Sequence, residues 1–188
     1  MRKLLSGIGF VALLVSVPAL ANAQRRAAAA PGGAKHEFGL DVFAGYVKPN
    51  GTKGGIALVT PINIRVGLVK AGKIMWEPRF SLDFSTVGGT TTYDFAPGVN
   101  LLYAQSPGGH RRGMYLTGGA GLDMVDGGAL SGIGFTLNAA VGWRKPYGSG
   151  AWRYELGLGW SSEIKDGAVV IQPSTLMIGG RFGISLWH

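Results

Sequence analysis

The sequence contains no cysteine. The chain can therefore form no disulfide, thiol nucleophile or Cys-ligated metal centre, and no lipid can be attached through a cysteine. Its three histidines, His36, His110 and His188, are too dispersed to make a ligand set. We therefore expect no metal site, and we expect no cofactor.

Charged residues and long apolar runs are also scarce. Charged residues make up 15% of the chain, below the roughly one quarter typical of a soluble domain. The hydrophobic share of 46% is too high for a disordered chain. No apolar run beyond the N-terminus is long enough for a transmembrane helix. An apolar chain of this kind predicts apolar residues that alternate with polar ones.

The N-terminus has the three parts of a secretory signal peptide. Arg2 and Lys3 precede an apolar stretch over residues 4–17, Pro18 ends it, and residues 21–23 (ANA) form a small-residue cleavage site. The alternative is a membrane anchor, but this stretch is shorter than the roughly 20 residues that a spanning helix needs. We predict that residues 1–23 are cleaved.

Two further segments follow the signal peptide. Residues 24–35 (QRRAAAAPGGAK) predict a flexible basic leader, and residues 36–188 predict one folded domain. Loss of Arg2 and Lys3 lowers the formal charge from +8 to +6. Nucleic acid is a poor explanation of that charge in an exported protein.

From residue 36 onward, the chain alternates apolar and polar residues, which is the signature of β-strands. In residues 74–86, Trp76, Phe80 and Phe84 share one face, while Glu77 and Arg79 lie on the other. Eight such runs are separated by seven turn signals rich in glycine, proline and asparagine. We predict an all-β fold: an eight-stranded antiparallel up-and-down barrel with both ends in the periplasm.

The alternation alone does not decide which face points outward. A soluble lipocalin-like barrel has its apolar residues inside, whereas a membrane barrel has them outside. All eight lysines fall in the predicted signal, leader or turns, and none in a predicted strand. The polar faces are rich in small residues, which suits a narrow interior. Both observations favour the membrane barrel.

Aromatic residues on the apolar faces cluster near the strand ends, as they do at lipid interfaces. We predict two aromatic girdles. The periplasmic one comprises Phe38, Trp76, Tyr103, Trp143 and Trp152. The outer one comprises Tyr46, Phe84, Tyr93, Phe135 and Trp160.

These features resemble the small outer-membrane barrel proteins of the OmpA-barrel and OmpX-like group. The resemblance covers about residues 36–188, and it rests on the signal peptide, the eight strands and the final strand 176–187 (LMIGGRFGISLW). It implies location in the bacterial outer membrane, contact with its lipid bilayer, and recognition by the assembly machinery through a terminal aromatic residue. Here that residue is Trp187, although His188 follows it.

Charged residues on the polar faces predict a lumen charge network. The arginines are Arg65, Arg79, Arg144, Arg153 and Arg181, and the acids are Asp41, Glu77, Asp83, Asp94, Asp123 and Glu155. Two interpretations are open: a salt-bridged and closed lumen, or a narrow pore for small solutes or ions. Because eight strands leave little free space, we favour the closed lumen.

Counting residues from the predicted turns suggests specific neighbours. From the turn at Ala71, Arg65 lies opposite Glu77 and Asn63 lies opposite Arg79. From the turn at residues 147–150, Arg144 lies beside Arg153, with Glu155 diagonal to Arg144. Across the seam between the first and last strands, Arg181 is placed within reach of Asp41.

A lipid-modifying enzyme is the remaining alternative, because some barrels of this size catalyse such reactions. This chemistry needs an activated hydroxyl with a base in reach, and no histidine lies mid-strand beside a serine. Asp83 and Asp94 face each other near a turn, but Arg79 is close to them. We predict that the protein is not an enzyme.

The remaining expectations concern partners. The predicted periplasmic turns carry a basic rim of Lys70, Lys73, Arg111, Arg112 and Lys145. Such a rim suits anionic lipid headgroups or a cell-wall polymer, and the alternative is a solvated rim with no specific partner. The predicted outer loops are short, which weakens an adhesin function. We expect a monomer with a structural or envelope-interaction role.

Overall fold

The computed structural model describes residues 36–87, 90–105 and 110–187. For residues 58–62, 71, 84–87 and 90 it describes the backbone alone. The predicted signal peptide (1–23), the leader (24–35) and His188 lie outside the described residues, so the predicted division of the chain remains a prediction.

Eight long strands close into one antiparallel barrel, which confirms the predicted fold. They are β1 (His36–Pro49), β2 (Gly55–Ala71), β3 (Ile74–Val87), β4 (Thr90–Ala104), β5 (Gly113–Asp126), β6 (Ser131–Tyr147), β7 (Gly150–Ser161) and β10 (Thr175–Trp187). Each strand pairs with the next along the chain, and β10 pairs with β1 to close the barrel. Within the described ranges, no helix has the length and hydrophobicity to span a bilayer.

The segment between β7 and β10 contains a small hairpin. Strands β8 (Ile164–Asp166) and β9 (Val169–Gln172) pair with each other outside the barrel sheet. Ile164 is fully buried against Gly132 of β6, where an added Cβ would lie 2.6 Å from the Ile164 side chain. The hairpin therefore needs glycine beneath it. We call this side of the barrel the hairpin end and the opposite side, which holds His36 and Trp187, the terminal end.

The prediction that no lysine lies in a strand was wrong, because the strands extend beyond the apolar band. Lys48, Lys70 and Lys145 fall within the last three residues of β1, β2 and β6. Strand pairing continues past the apolar residues because the turns are tight. The lysines still lie at the strand ends, where an ammonium group remains in water.

The alternation places apolar side chains outward and charged side chains inward. Leu156 in the middle of β7 is 64% exposed, whereas the neighbouring Glu155 and Arg153 are buried. Phe135, Leu137 and Leu158 are likewise exposed. This is the reverse of a soluble barrel, and such a surface is stable only in contact with acyl chains.

Candidate functional site in the barrel lumen

The terminal half of the lumen is filled by an ion network, which we define as four carboxylates and four guanidiniums. The acids are Glu37, Asp41, Glu77 and Glu155, and the arginines are Arg65, Arg144, Arg153 and Arg181. Except for Arg181, each side chain is at most 5% exposed. The opposite charges of the network are equal in number, which limits the cost of burying them, because an unpaired charge in such a site costs several kcal/mol.

Glu37 joins two of the arginines. One carboxylate oxygen accepts a hydrogen bond from Arg65 and another, of 2.5 Å, from the Ser185 hydroxyl. The other oxygen accepts a 2.6 Å hydrogen bond from Arg144 Nη2. Arg65 also donates from Nε to Asp41 Oδ2 at 2.6 Å. Glu37 thus ties β1 to β2, β6 and β10 across the lumen.

Glu77 and Glu155 share Arg153 in the same way. Arg153 donates to both carboxylates, with a distance of 3.0 Å from Nη2 to Glu77 Oε1. The Tyr115 hydroxyl donates to Glu155 Oε1 at 2.9 Å. Asn100 Nδ2 donates to Glu77 Oε1 at 3.3 Å, so neutral polar groups supplement the arginines at both carboxylates.

An apolar plug lies between this network and the terminal end. It consists of Met75, Leu102, Tyr115 and Trp187, all buried, with Val69 packed against them. The guanidinium carbon of Arg144 lies 5.4 Å from the centre of the Trp187 ring and 4.8 Å from that of Tyr115. These cation–π contacts join the apolar plug to the ion network.

His110, in the turn between β4 and β5, adds to the closure of this end. Its Nε2 lies 2.9 Å from the Gly72 carbonyl oxygen, and its own carbonyl accepts a 2.5 Å hydrogen bond from Arg144. Burial lowers the pKa of His110, and the nearby Arg144 guanidinium lowers it further. The lowered pKa favours the neutral form of the imidazole.

Above the network, toward the hairpin end, the lumen holds a cavity of about 260 Å³. Arg79 and Arg181 line it together with Asp83, Asp94 and Asp123. Within the network itself, a cavity lined by Arg65, Glu77 and Arg153 has a volume of about 10 Å³, which is roughly the space of one water molecule. The lumen is thus open in its upper part and filled below.

The structure brings together most of the predicted lumen residues but corrects their register. Arg65 lies opposite Arg79 and not opposite Glu77, because the turn falls at Gly72 and Lys73 and the pairing is irregular between Val69 and Ala71. Asn63 therefore does not face Arg79. Arg65 reaches Glu77 only diagonally, with a distance of 3.5 Å from Nη1 to Oε2.

The neighbours predicted for β6, β7 and β10 are correct in part. Arg144 lies opposite Arg153, as predicted, and Glu155 pairs with Gly142, diagonal to Arg144. Arg181 does not reach Asp41, because the seam pairs Arg181 with Phe43 and Asp41 with Gly183. The Arg181 guanidinium instead lies 3.6 Å from Glu155 and stacks over the Phe43 ring.

Several essential residues were not predicted. Glu37 is the clearest case, because the outward position of Phe38 already implied an inward neighbour. Met75 and Leu102 also point inward, although nothing in their apolar character distinguishes them from lipid-facing residues. Trp187 lies inside the lumen as part of the apolar plug.

The residues predicted to form aromatic girdles lie on the outer surface near the strand ends. Exposed members of both sets are Phe38, Tyr46, Trp76, Tyr93, Tyr103, Phe135, Trp143 and Trp160. Trp152 is half-buried because it stacks on Phe182, with ring centres 5.4 Å apart. The Phe84 side chain is not among those that the structure describes.

No group of three or more histidine, aspartate or glutamate side chains in the described part of the chain could hold a metal ion. The described histidines, His36 and His110, lie at the terminal end, away from the cavity. The acidic side chains at the cavity are therefore not arranged as metal ligands.

The sequence matches no family model and no curated protein. Its fold is nevertheless found among solved structures. Neisserial surface protein A (NspA) superposes with a TM-score of 0.51 at 12% identity, over 84% of this chain and 100% of that one. The chain has the fold of a small outer-membrane β-barrel.

Two other solved structures are similar to a lesser degree. Ail, the attachment invasion locus protein of Yersinia pestis, gives a TM-score of 0.45 at 12% identity, over 80% of this chain and 99% of that one. The N-terminal β-barrel domain of Pseudomonas aeruginosa OprF gives a TM-score of 0.44 at 9% identity, over 82% of this chain and 100% of that one.

Proposed function

We propose that this protein is a monomeric bacterial outer-membrane barrel whose role is structural or envelope-interacting, with a lumen closed to solutes. The observation that carries the proposal is the pair of barriers in the terminal half: the ion network and, below it, the apolar plug. The ion network spans the interior, since Glu37 of β1 contacts Arg144 of β6. The apolar plug joins side chains from β3, β4, β5 and β10.

The energetics support a permanent closure. Arg65, Arg144 and Arg153 are each about 1% exposed, so opening a path would leave buried charges without partners. Removing one partner from a buried pair costs about 3–5 kcal/mol. At that energy, fewer than about one molecule in a hundred would be in the open state.

We further propose that the protein is not an enzyme. In the described lumen, Ser81 lines the cavity and Ser185 lies in the ion network. His110 is held at the terminal end by Gly72, where it cannot act as a base for either hydroxyl. This arrangement lacks the activated nucleophile that lipid modification needs.

Planar-bilayer recording of the purified barrel tests the closed lumen against the narrow pore. We expect no steady conductance above the bare bilayer at either voltage polarity. A general porin in the same bilayer is the positive control, and the double variant Met75→Gly with Leu102→Gly tests whether thinning the apolar plug raises leakage. Steady open current through the unmodified protein would reject the closed lumen.

The second candidate role, contact with an anionic polymer or lipid, rests on the basic rim. Its members Lys70, Arg112 and Lys145 are exposed at the terminal end, whereas Arg111 is partly engaged with Trp187. Sedimentation with purified cell-wall polymer tests this role. Neutralising the three exposed rim residues with glutamine should reduce co-sedimentation.

A matched control replaces the same number of lysines at the opposite end of the barrel. Lys48, Lys53 and Lys165 lie at the hairpin end, so their glutamine variants lose the same charge. If both triple variants lose binding equally, the interaction is a general effect of net charge and the proposed role of the rim is rejected.

A further inference from the structure

The cavity in the upper lumen combines charges of both signs, and they are separated along the barrel axis. Arg79 and Arg181 lie at its inner side, next to the ion network, and both also line the 10 Å³ cavity inside that network. Asp83, Asp94 and Asp123 lie toward the hairpin end. Because the terminal half is filled, this cavity is a dead end.

Arg79 is the charged group at the inner side that is left without a strong partner. It forms no hydrogen bond or ion pair with any other residue that the structure describes. Its strand neighbours are Arg65 on β2 and Gly98 on β4, so neither side supplies a carboxylate. Arg181 has a single distant carboxylate contact, to Glu155 at 3.6 Å. The inner side therefore presents two guanidiniums able to bind an anion.

The acidic side is the complement of this arrangement. Asp83 and Asp94 are directly paired across β3 and β4, and Asp123 on the neighbouring strand β5 lines the same side of the cavity. One oxygen of Asp123 is buried without a hydrogen-bond partner among the described residues. Since these carboxylates do not form a metal-ligand group, the charge that suits them is an ammonium.

The cavity limits the size of the ligand. Arg79 and Asp83 are four residues apart on β3, which corresponds to about 13 Å between their backbones along the strand. An extended dipeptide, about 7 Å long, is shorter than this span. The cavity volume of about 260 Å³ lies just below the range for drug-sized ligands.

We propose that the cavity binds a small zwitterion with separated charges, of the size of a dipeptide. Its carboxylate contacts Arg79 and Arg181, and its ammonium group contacts the three aspartates. Small side chains make the room, because Ala96, Ala140 and Gly157 form part of the wall. The ligand enters from the hairpin end and leaves by the same route.

Isothermal titration calorimetry on the refolded barrel in detergent tests this assignment with three matched probes. Glycylglycine carries both charges, N-acetylglycine only the carboxylate, and glycinamide only the ammonium. We expect glycylglycine to bind at least about tenfold more tightly than either probe with one charge, the loss that one charge-assisted contact represents. Equal binding of glycylglycine and glycinamide, or of glycylglycine and N-acetylglycine, overturns the zwitterion assignment.

Two variants locate the site, and a third controls for charge. Arg79→Met removes the unpaired guanidinium without leaving a carboxylate unpaired, and should weaken glycylglycine binding about tenfold. Ala140→Leu fills the cavity without changing any charge, and should abolish binding. Lys145→Met removes a positive charge at the terminal end and should leave binding unchanged. The proposal is overturned by absence of binding to the unmodified barrel, or by binding that neither cavity variant changes.

Discussion

Arg144 and Arg153 lie directly opposite each other on β6 and β7, yet their guanidiniums donate hydrogen bonds to different carboxylates. Arg144 donates to Glu37, whereas Arg153 donates to Glu77 and Glu155. The Tyr115 ring contacts both guanidiniums, with centroid distances of 4.8 and 5.3 Å. Two like charges are tolerated as neighbours because each hydrogen-bonds to a carboxylate and both lie over the Tyr115 ring.

Glu37 is the first target, because its carboxylate serves two buried arginines. Glu37→Gln should lower the free energy of unfolding by about 3 kcal/mol or more, because the buried guanidiniums of Arg65 and Arg144 both lose the negative charge that they contact. Urea titration of the barrel in lipid vesicles measures this. Glu163→Gln, which breaks the exposed pair with Lys165, is the matched control and should change stability by less than about 1 kcal/mol. Equal effects of the two variants would contradict the described network.

Tyr115 has two separable roles, a hydrogen bond to Glu155 and packing in the apolar plug. Tyr115→Phe removes only the hydroxyl, and should cost about 1–3 kcal/mol because the Glu155 acceptor stays buried. Tyr115→Ala also leaves a cavity, and should cost about 3–5 kcal/mol. The same urea titrations compare the two. If Tyr115→Phe is as damaging as Tyr115→Ala, the packing role assigned to the ring is wrong.

The Trp187 indole contributes packing, whereas its Nε1 has no hydrogen-bond partner among the described residues. Trp187→Phe should therefore keep most of the stability, and Trp187→Ala should lose about 3–5 kcal/mol. Assembly efficiency in cells provides a separate readout of the predicted terminal signal. If assembly follows stability across both variants, recognition of Trp187 itself is not needed to explain the defect.

Because the outer surface of the barrel faces lipid, the cost of placing a charge on it should depend strongly on how deep in the bilayer the charge lies. Leu156 lies in the middle of β7 between Trp152 and Trp160, so Leu156→Arg places a charge among acyl chains. We expect a loss of about 2–4 kcal/mol in vesicles. Val169→Arg, in the exposed hairpin, should be nearly neutral. Equal effects would show that Leu156 does not face the bilayer core.

His110 makes stability depend on pH. Because burial lowers its pKa in the folded state below the ordinary value of 6.5, the unfolded chain binds the proton more tightly. The His110 contribution is therefore complete above about pH 6.5, and it decreases as the pH falls toward the lowered folded-state pKa. His110→Gln should flatten this part of a stability–pH curve measured from pH 7.5 to 5. A slope unchanged in the variant would assign the effect to another group.

The alternation of side chains was sufficient to predict the strands and the outward face. Trp76, Glu77, Pro78 and Arg79 occupy alternate sides of one extended segment whatever their partners are, because the side-chain period of a strand is two. Large apolar side chains lie on one face of each strand, and glycine and charged residues lie on the other. This division indicated that the first face contacts lipid and that the second lines a narrow lumen. These are local properties, and the chain itself carries them.

Register and cross-lumen contact were decided only by the closed barrel. A displacement of the β2–β3 turn by one residue puts Arg65 opposite Arg79, and no pattern within either strand reveals it. Glu37 meets Arg144 across 107 positions of sequence, a contact that exists only once eight strands curve into a ring. The sequence by itself determined which residues point inward. Tertiary structure decided which of them meet, because barrel closure and turn geometry set distances that a single strand cannot.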